Sequence, residues 1–93
     1  MSGMPSSADR RTDTTPVVTV RYWAGARAAA QVEAEQLSGA TVAEVMDAAV
    51  RAHPRLRDVI PVSSVLQDGR AVAPAADVVP GAVLEVLPPF AGG

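Results

Sequence analysis

The sequence predicts an α+β domain of two layers, with one main helix packed on one face of a sheet. Val42, Val45, Met46, Ala49 and Val50 fall at i, i+3, i+4, i+7 and i+8, a single apolar stripe on an α-helix. Short β-branched stretches that alternate with a period of two stand on both sides of it, at 17–23, 31–37, 63–67 and 82–87. The tight-turn pairs Asp68-Gly69 and Pro80-Gly81 punctuate the second half. One amphipathic helix has one sheet face to cover, and that is the two-layer arrangement.

Each element follows from its residues. Residues 1–16 (MSGMPSSADRRTDTTP) show no apolar periodicity and are rich in Ser, Thr, Asp and Arg, the composition of a disordered leader. The leader lacks the apolar stretch of a secretory signal, and Asp9 and Asp13 argue against a transit peptide. In 17–23, Val18, Val20 and Tyr22 share one face and Thr19 and Arg21 the other, so a first strand is expected. Residues 24–30 (AGARAAA) are small and permissive, and are expected to form a loop with at most a short helical turn. Residues 31–37 alternate again, with Glu33 and Glu35 expected to face water, and complete a hairpin with the first strand.

Thr41-Val42-Ala43-Glu44 has the form of a capping box. In it the Thr41 hydroxyl accepts from the Glu44 amide, and the Glu44 carboxylate reaches back to the Thr41 amide. The helix ends at His53-Pro54, because proline disfavours helical geometry at the residue before it. Residues 55–60 are a connector, 63–67 a third strand, and 70–72 its return through the Asp68-Gly69 turn. A loop at 73–79 leads to the last strand at 82–87, which Pro88-Pro89 forbids to continue. The expected order is β-β-α-β-β-β, with the domain at 17–87 and a flexible tail at 88–93.

Composition excludes several function classes. Ninety-three residues make one small domain, and no apolar run is long enough to span a bilayer, so no membrane role is expected. With no Cys there is no disulfide, no thiolate metal site and no cysteine nucleophile, which fits a cytoplasmic location. The net charge of -2 and the three aromatic residues argue against nucleic-acid binding. All eight basic residues are Arg, so a Schiff base, a P-loop Lys and an internal isopeptide acceptor are excluded. Neither metal-ligand spacing nor a glycine-rich phosphate loop is present. His53, the single imidazole, has no serine elbow, carboxylate dyad or second ligand beside it. It reads as a helix C-terminal residue interacting with the last carbonyls rather than a general base. Ser63 and Ser64 read as structural. The body therefore offers no catalytic constellation, and no enzyme activity of its own is expected.

The chemically special group is the terminal carboxylate. Gly92-Gly93 follows Leu87-Pro88-Pro89-Phe90-Ala91. Without a Cβ on either residue, the last two units can thread a slot too narrow for any side chain. Pro88-Pro89 stiffens the base of the tail, which extends to roughly 20 Å. A carboxylate so delivered can be activated in another enzyme's site, for instance as an acyl-adenylate. Strand parity puts Leu84 and Val86 on one face of the last strand and Val83, Glu85 and Leu87 on the other. Trp23 lies opposite Tyr22, and Phe90 has no internal core to cover it. Leu87, Trp23 and Phe90 are thus expected to form a docking patch beside the tail.

The element order, the T-V-A-E helix start, the Asp68-Gly69 hairpin, the opening V-T-V-R-Y-W-A-G-A-R and the closing LPPFAGG together resemble the MoaD/ThiS sulfur carriers, most closely the MoaD branch. The resemblance covers about residues 17–93, and the P-P-x-A-G-G tail is its most specific part. It implies a ubiquitin-like β-grasp fold with a mixed sheet. It implies a cycle in which an E1-like, MoeB-like adenylating enzyme uses ATP and Mg²⁺ to activate the carboxylate of Gly93. A persulfide sulfur then displaces AMP and leaves a thiocarboxylate. In the MoaD branch the tail, Gly92 and Gly93 foremost, inserts into a large MoaE-like subunit of molybdopterin synthase, which uses the sulfur on precursor Z. Pro88, Pro89, Phe90 and Ala91, with Leu87 and Trp23, are then the partner-binding residues. No cofactor is expected on this chain. Three alternatives stay open: a carrier for thiazole or cysteine synthesis, a ubiquitin-like modifier forming isopeptides with target lysines, and a plain β-grasp interaction domain.

Overall fold

The computed structural model describes residues 15–89. β1 (Val17–Tyr22) buries the predicted face, with Val18, Val20 and Tyr22 at most 2% exposed. The stretch expected as a loop is a helix, α1 (Ala24–Ala30). Alanine has the highest intrinsic helix propensity, and Trp23 supplies the extended residue from which the first turn starts. Gln31 closes α1 in the left-handed region (φ 64), its amide bonded to the Arg27 carbonyl. The inward side of α1 consists of Ala26 and Ala30. Two methyl groups one turn apart leave no apolar stripe for sequence periodicity to reveal.

β2 (Ala34–Ser38) begins later than expected, because the chain is still bending at 31–33 after that left-handed residue. It pairs antiparallel with β1 as anticipated, Val18 opposite Leu37 and Val20 opposite Glu35. That register corrects the expectation for Glu35. It sits on the helix-facing side of the sheet and not in open water, while Glu33 is exposed and paired with Arg27 at 2.7 Å.

α2 (Val42–Ala52) buries Val42, Val45, Met46 and Ala49, the predicted stripe. Thr41 Oγ1 accepts from the Glu44 amide at 3.2 Å. The return bond goes one residue further upstream than expected: Glu44 Oε1 accepts from the Ala40 amide at 2.8 Å. The amides of Val42 and Ala43, unpaired in any first helical turn, donate to the Ala76 and Pro74 carbonyls. The 73–79 loop therefore completes the cap. Gly39 lets the chain approach that turn, since a Cβ there would lie 2.8 Å from both Val45 Cγ2 and Val45 N.

Two 3₁₀ turns (Pro54–Arg57 and Ile60–Val62) connect α2 to β3 (Ser64–Gln67), and the first drives Leu56 fully into the core. Asp68 (φ 48) and Gly69 (φ 88) turn the chain into β4 (Arg70–Ala71) with the positive φ pair that matches strand twist. β5 (Val83–Leu87) closes the sheet. The strand order is β2-β1-β5-β3-β4. β1 and β5 run parallel at the centre and the other pairs are antiparallel, so the sheet is mixed. Both helices lie on the face that carries Val18, Val20, Leu84 and Val86. The chain order is β-α-β-α-β-β-β, and it departs from expectation only through α1. No helix among the described residues is long and apolar enough to cross a membrane.

Candidate functional site

β5 delivers the tail from the middle of the sheet. It is held on one side by β1, with Tyr22 opposite Val86, and on the other by β3, with Ser64 opposite Leu87. The Trp23 amide adds a bond to the Val86 carbonyl at 3.2 Å. Pro88, half-buried, and Pro89, exposed, follow at once and have no amide hydrogen to extend either ladder. Phe90, Ala91, Gly92 and Gly93 lie outside the described residues.

The outer sheet face beside this exit has the predicted parity. Val83, Glu85 and Leu87 are half-buried on it, and Trp23 is 39% exposed. Glu85 holds the indole: Trp23 Nε1 donates to Glu85 Oε2 at 3.2 Å. The Arg21 guanidinium lies 5.3 Å from the Trp23 ring centroid, within cation–π range. Arg21 and Glu85 are register partners, so Trp23 is clasped between a cation and a carboxylate. Leu66 stands opposite Glu85 on the same face, half-buried, and extends the patch. Sequence reasoning missed Leu66. The antiparallel register of β3 with β5 would have found it, but single-strand parity does not give register. Of the predicted docking residues, Leu87 and Trp23 share this face at the root of the tail.

A second cluster lies on the opposite face at the same end of the sheet. Tyr22 Oη donates to Glu35 Oε2 at 2.6 Å. His53 Nε2 lies 2.7 Å from the same oxygen. A carboxylate only accepts, so the proton of that contact sits on Nε2. The two rings meet edge to face, centroids 6.1 Å apart. Burial first, then the hydrogen bond to Glu35 and its negative charge, push the Tyr22 hydroxyl far above the usual tyrosine range. His53 is also the C-cap of α2, the helix-terminal place anticipated, but only its backbone amide bonds to a helix carbonyl, that of Ala49; its ring turns to Glu35 and not to the last carbonyls as expected. Ser63 Oγ donates to the Val59 carbonyl at 2.7 Å. No group of three or more His, Cys, Asp or Glu that could hold a metal ion occurs among the described residues. An apolar cleft of about 370 Å³ lies between α2, the 60–62 turn and β3–β4, and none of the predicted site residues lines it.

The described residues can present a tail and a partly apolar docking face. The small archaeal modifier protein 1 of Haloferax volcanii is 27% identical, covering 83% of this chain and 99% of that one at a TM-score of 0.75. Its counterpart from Methanosarcina acetivorans is 22% identical, covering 86% and 99% at a TM-score of 0.78. Subunit 1 of the molybdopterin-converting factor of Helicobacter pylori, solved in complex with subunit 2, is 19% identical, covering 83% and 99% at a TM-score of 0.62. These neighbours make the fold a ubiquitin-like β-grasp. Comparison with curated proteins gives no match. The ThiS family model matches residues 20–93, from the middle of β1 through both terminal glycines, and the chain therefore belongs to the ThiS family, in keeping with its resemblance to the MoaD/ThiS carriers.

Proposed function

We propose that this chain is a sulfur carrier for molybdopterin biosynthesis. Its Gly93 carboxylate attacks the α-phosphorus of ATP, pyrophosphate leaves, and an acyl-adenylate remains. The outer sulfur of a persulfide donor then attacks the acyl carbon and AMP leaves; a second thiol of the sulfur-donating protein cleaves the S–S bond of the resulting acyl disulfide, forming a disulfide there and leaving the terminus as a thiocarboxylate. An E1-like adenylating enzyme performs the activation. A MoaE-like large subunit receives the tail and consumes the sulfur on precursor Z. The observation that supports this reading is the exit of the tail from a central strand, beside Trp23 and Leu87, in a chain whose family match runs through Gly93. Gly92 and Gly93 thread the partner's slot, Pro88 and Pro89 hold the tail off the domain, and Phe90 and Ala91 dock at the slot's mouth. The carrier supplies positioning while its partners supply the electrophile and the acid–base groups.

Intact mass measurement after incubation with the activating enzyme, ATP and a sulfur donor tests the cycle. One oxygen replaced by sulfur is expected. Adenylate formation without that exchange would overturn the sulfur-carrier reading. Phe90→Ala should weaken binding to the large subunit about thirty-fold by calorimetric titration, the scale of a buried aromatic anchor, with little change in melting. Unchanged affinity would remove Phe90 from the interface.

A second reading is favoured by the 27% identity to the archaeal modifier, higher than to the molybdopterin-converting subunit. In it the same activated carboxylate is transferred to a target lysine. Conjugates that survive thiol treatment and contain the diglycine remnant would support it; their absence from cells making active molybdoenzymes would leave the carrier.

A further inference from the structure

Resting on an activated C-terminus, common to both readings above, we propose that this chain is an acyl donor only, because its fold leaves no side chain able to accept the activated terminus of itself or of another copy. An acyl-adenylate or thioester is captured when an amine, thiolate, imidazole or phenolate attacks the acyl carbon. A bond to nitrogen, sulfur or oxygen forms, and the bond to AMP or thiol breaks. The whole sequence has no Lys and no Cys, one His and one Tyr. Arg is held protonated and is no nucleophile. Ser and Thr hydroxyls are weak nucleophiles unless a base adjoins them. Capture therefore reduces to two side chains, Tyr22 and His53.

Both stand where capture would be easiest. Tyr22 is the register partner of Val86, so it lies one strand spacing, roughly 4.8 Å, from the strand that launches the tail. A tail reaching roughly 20 Å from that root covers this end of the domain. Both are also occupied. Tyr22 is 2% exposed and gives its proton to Glu35 Oε2, and His53 Nε2, the less hindered ring nitrogen, gives its proton to the same oxygen. With Nε2 carrying and donating its proton, the ring's lone pair lies on Nδ1, the nitrogen crowded by the side chain's own Cβ. His53 is not sealed off, since with Gln31 and Arg55 it lines an open cleft of about 280 Å³. What keeps Nε2 occupied is the hydrogen bond. One carboxylate, turned inward on an edge strand, thus occupies both the Tyr22 hydroxyl and the accessible nitrogen of His53. As a modifier the chain would attach to another protein's lysines and build no chains through its own side chains.

The test installs the electrophile chemically, so it does not depend on any activating enzyme and fails or succeeds apart from the sulfur-carrier reading. The chain is prepared as its C-terminal 2-mercaptoethanesulfonate thioester with an acetylated N-terminus and incubated at high concentration at pH 8. Intact mass spectrometry follows the products. Only hydrolysis to the free acid is expected. A covalent dimer, or a monomer one water lighter than the acid, would overturn the proposal. Arg57→Lys, which restores one amine at an exposed position, should yield such adducts; if it yields none, the missing amine is not what keeps the chain inert. Glu35→Val keeps a strand-forming residue but removes the acceptor. It should lose thioester several-fold faster than the parent, and adding His53→Asn should restore the parent rate. An unchanged rate in folded Glu35→Val overturns the shielding role, and Glu35→Ala serves should the first variant fail to fold.

Discussion

The parent protein should lose stability above pH 10, and Tyr22→Phe should abolish that loss. The folded hydroxyl is held above its unfolded value by burial, by its bond to Glu35 and by that carboxylate's charge. The sign follows from proton counting. With the folded value raised, the neutral phenol is favoured in the native state, and its contribution is complete below the unfolded value of about 10. As pH rises past that point the unfolded chain releases a proton that the native one keeps. Stability then falls by about 1.4 kcal/mol per pH unit. Between pH 10 and 11 the loss is roughly 1 kcal/mol, or a fall in Tm of roughly 4–8 °C for a domain this size. The window is clean, because the chain has no Lys, no Cys and no second Tyr. Near neutral pH the variant should be about 1.5–3 kcal/mol less stable, the worth of a hydrogen bond to a charged acceptor. Glu35 keeps His53 at 2.7 Å, so no orphaned carboxylate adds to that. Melts followed by circular dichroism from pH 8 to 11, on parent and variant, decide the matter. Parallel curves above pH 10, or a parent plateau reaching pH 11, would refute the reasoning.

Gly39→Ala should cost about 1–3 kcal/mol in urea unfolding with an unchanged m-value, since its Cβ would meet Val45 at 2.8 Å; a neutral result would mean the α2 cap relaxes freely. Met46→Asp, placing a carboxylate where the side chain is 5% exposed, should leave no cooperative melt near neutral pH, and a normal one would contradict the register of α2. Trp23→Ala should weaken binding to the large subunit or the activating enzyme about tenfold or more by calorimetry while shifting Tm little, because the ring is 39% exposed; a large Tm loss with intact binding would make it structural.

The helix and the strand faces were legible because large side chains repeat with the period of their element. Val18, Val20 and Tyr22 announce β1, and Val42, Val45, Met46 and Ala49 announce α2. α1 was not legible, because a helix that packs through two alanines is compositionally a loop. Glu35 was misjudged for a related reason. Alternation assigns a residue to one of two faces, and a carboxylate defaults to water. What overrules the default is a pair of donors, Tyr22 and His53, from positions 13 and 18 residues away. The clasp of Trp23 by Arg21 and Glu85 is hidden in the same way, since Glu85 lies 62 positions on and meets Trp23 only through the parallel register of β1 and β5. Local pattern gives faces; long-range pairing decides which polar groups meet on them.

That parallel pair also determines what kind of tail this is. A last strand at a sheet edge can peel away at the cost of one ladder, so the point from which its tail swings would wander. β5 is bonded on both sides, and lifting Leu87 would break pairing with Ser64 while the Trp23–Val86 bond holds the neighbouring residue from the other flank. The pivot is therefore fixed at Pro88, where the missing amide hydrogen ends the ladders. Leu87, on β5, and Trp23, between β1 and α1, flank that pivot, so under the proposed function a partner that grips them holds the C-terminus on a short tether. Entry of the tail into a slot, as proposed, would then proceed at the high effective concentration of a short tether. A longer or looser root would dilute it, and an inserted Gly-Ser pair after Leu87 should slow sulfur transfer while leaving docking on Trp23 and Leu87 intact, a separation that single-turnover kinetics and calorimetry on the same variant would expose. Equal loss in both measurements would mean that grip and delivery are not separable and that the tail itself provides the docking energy.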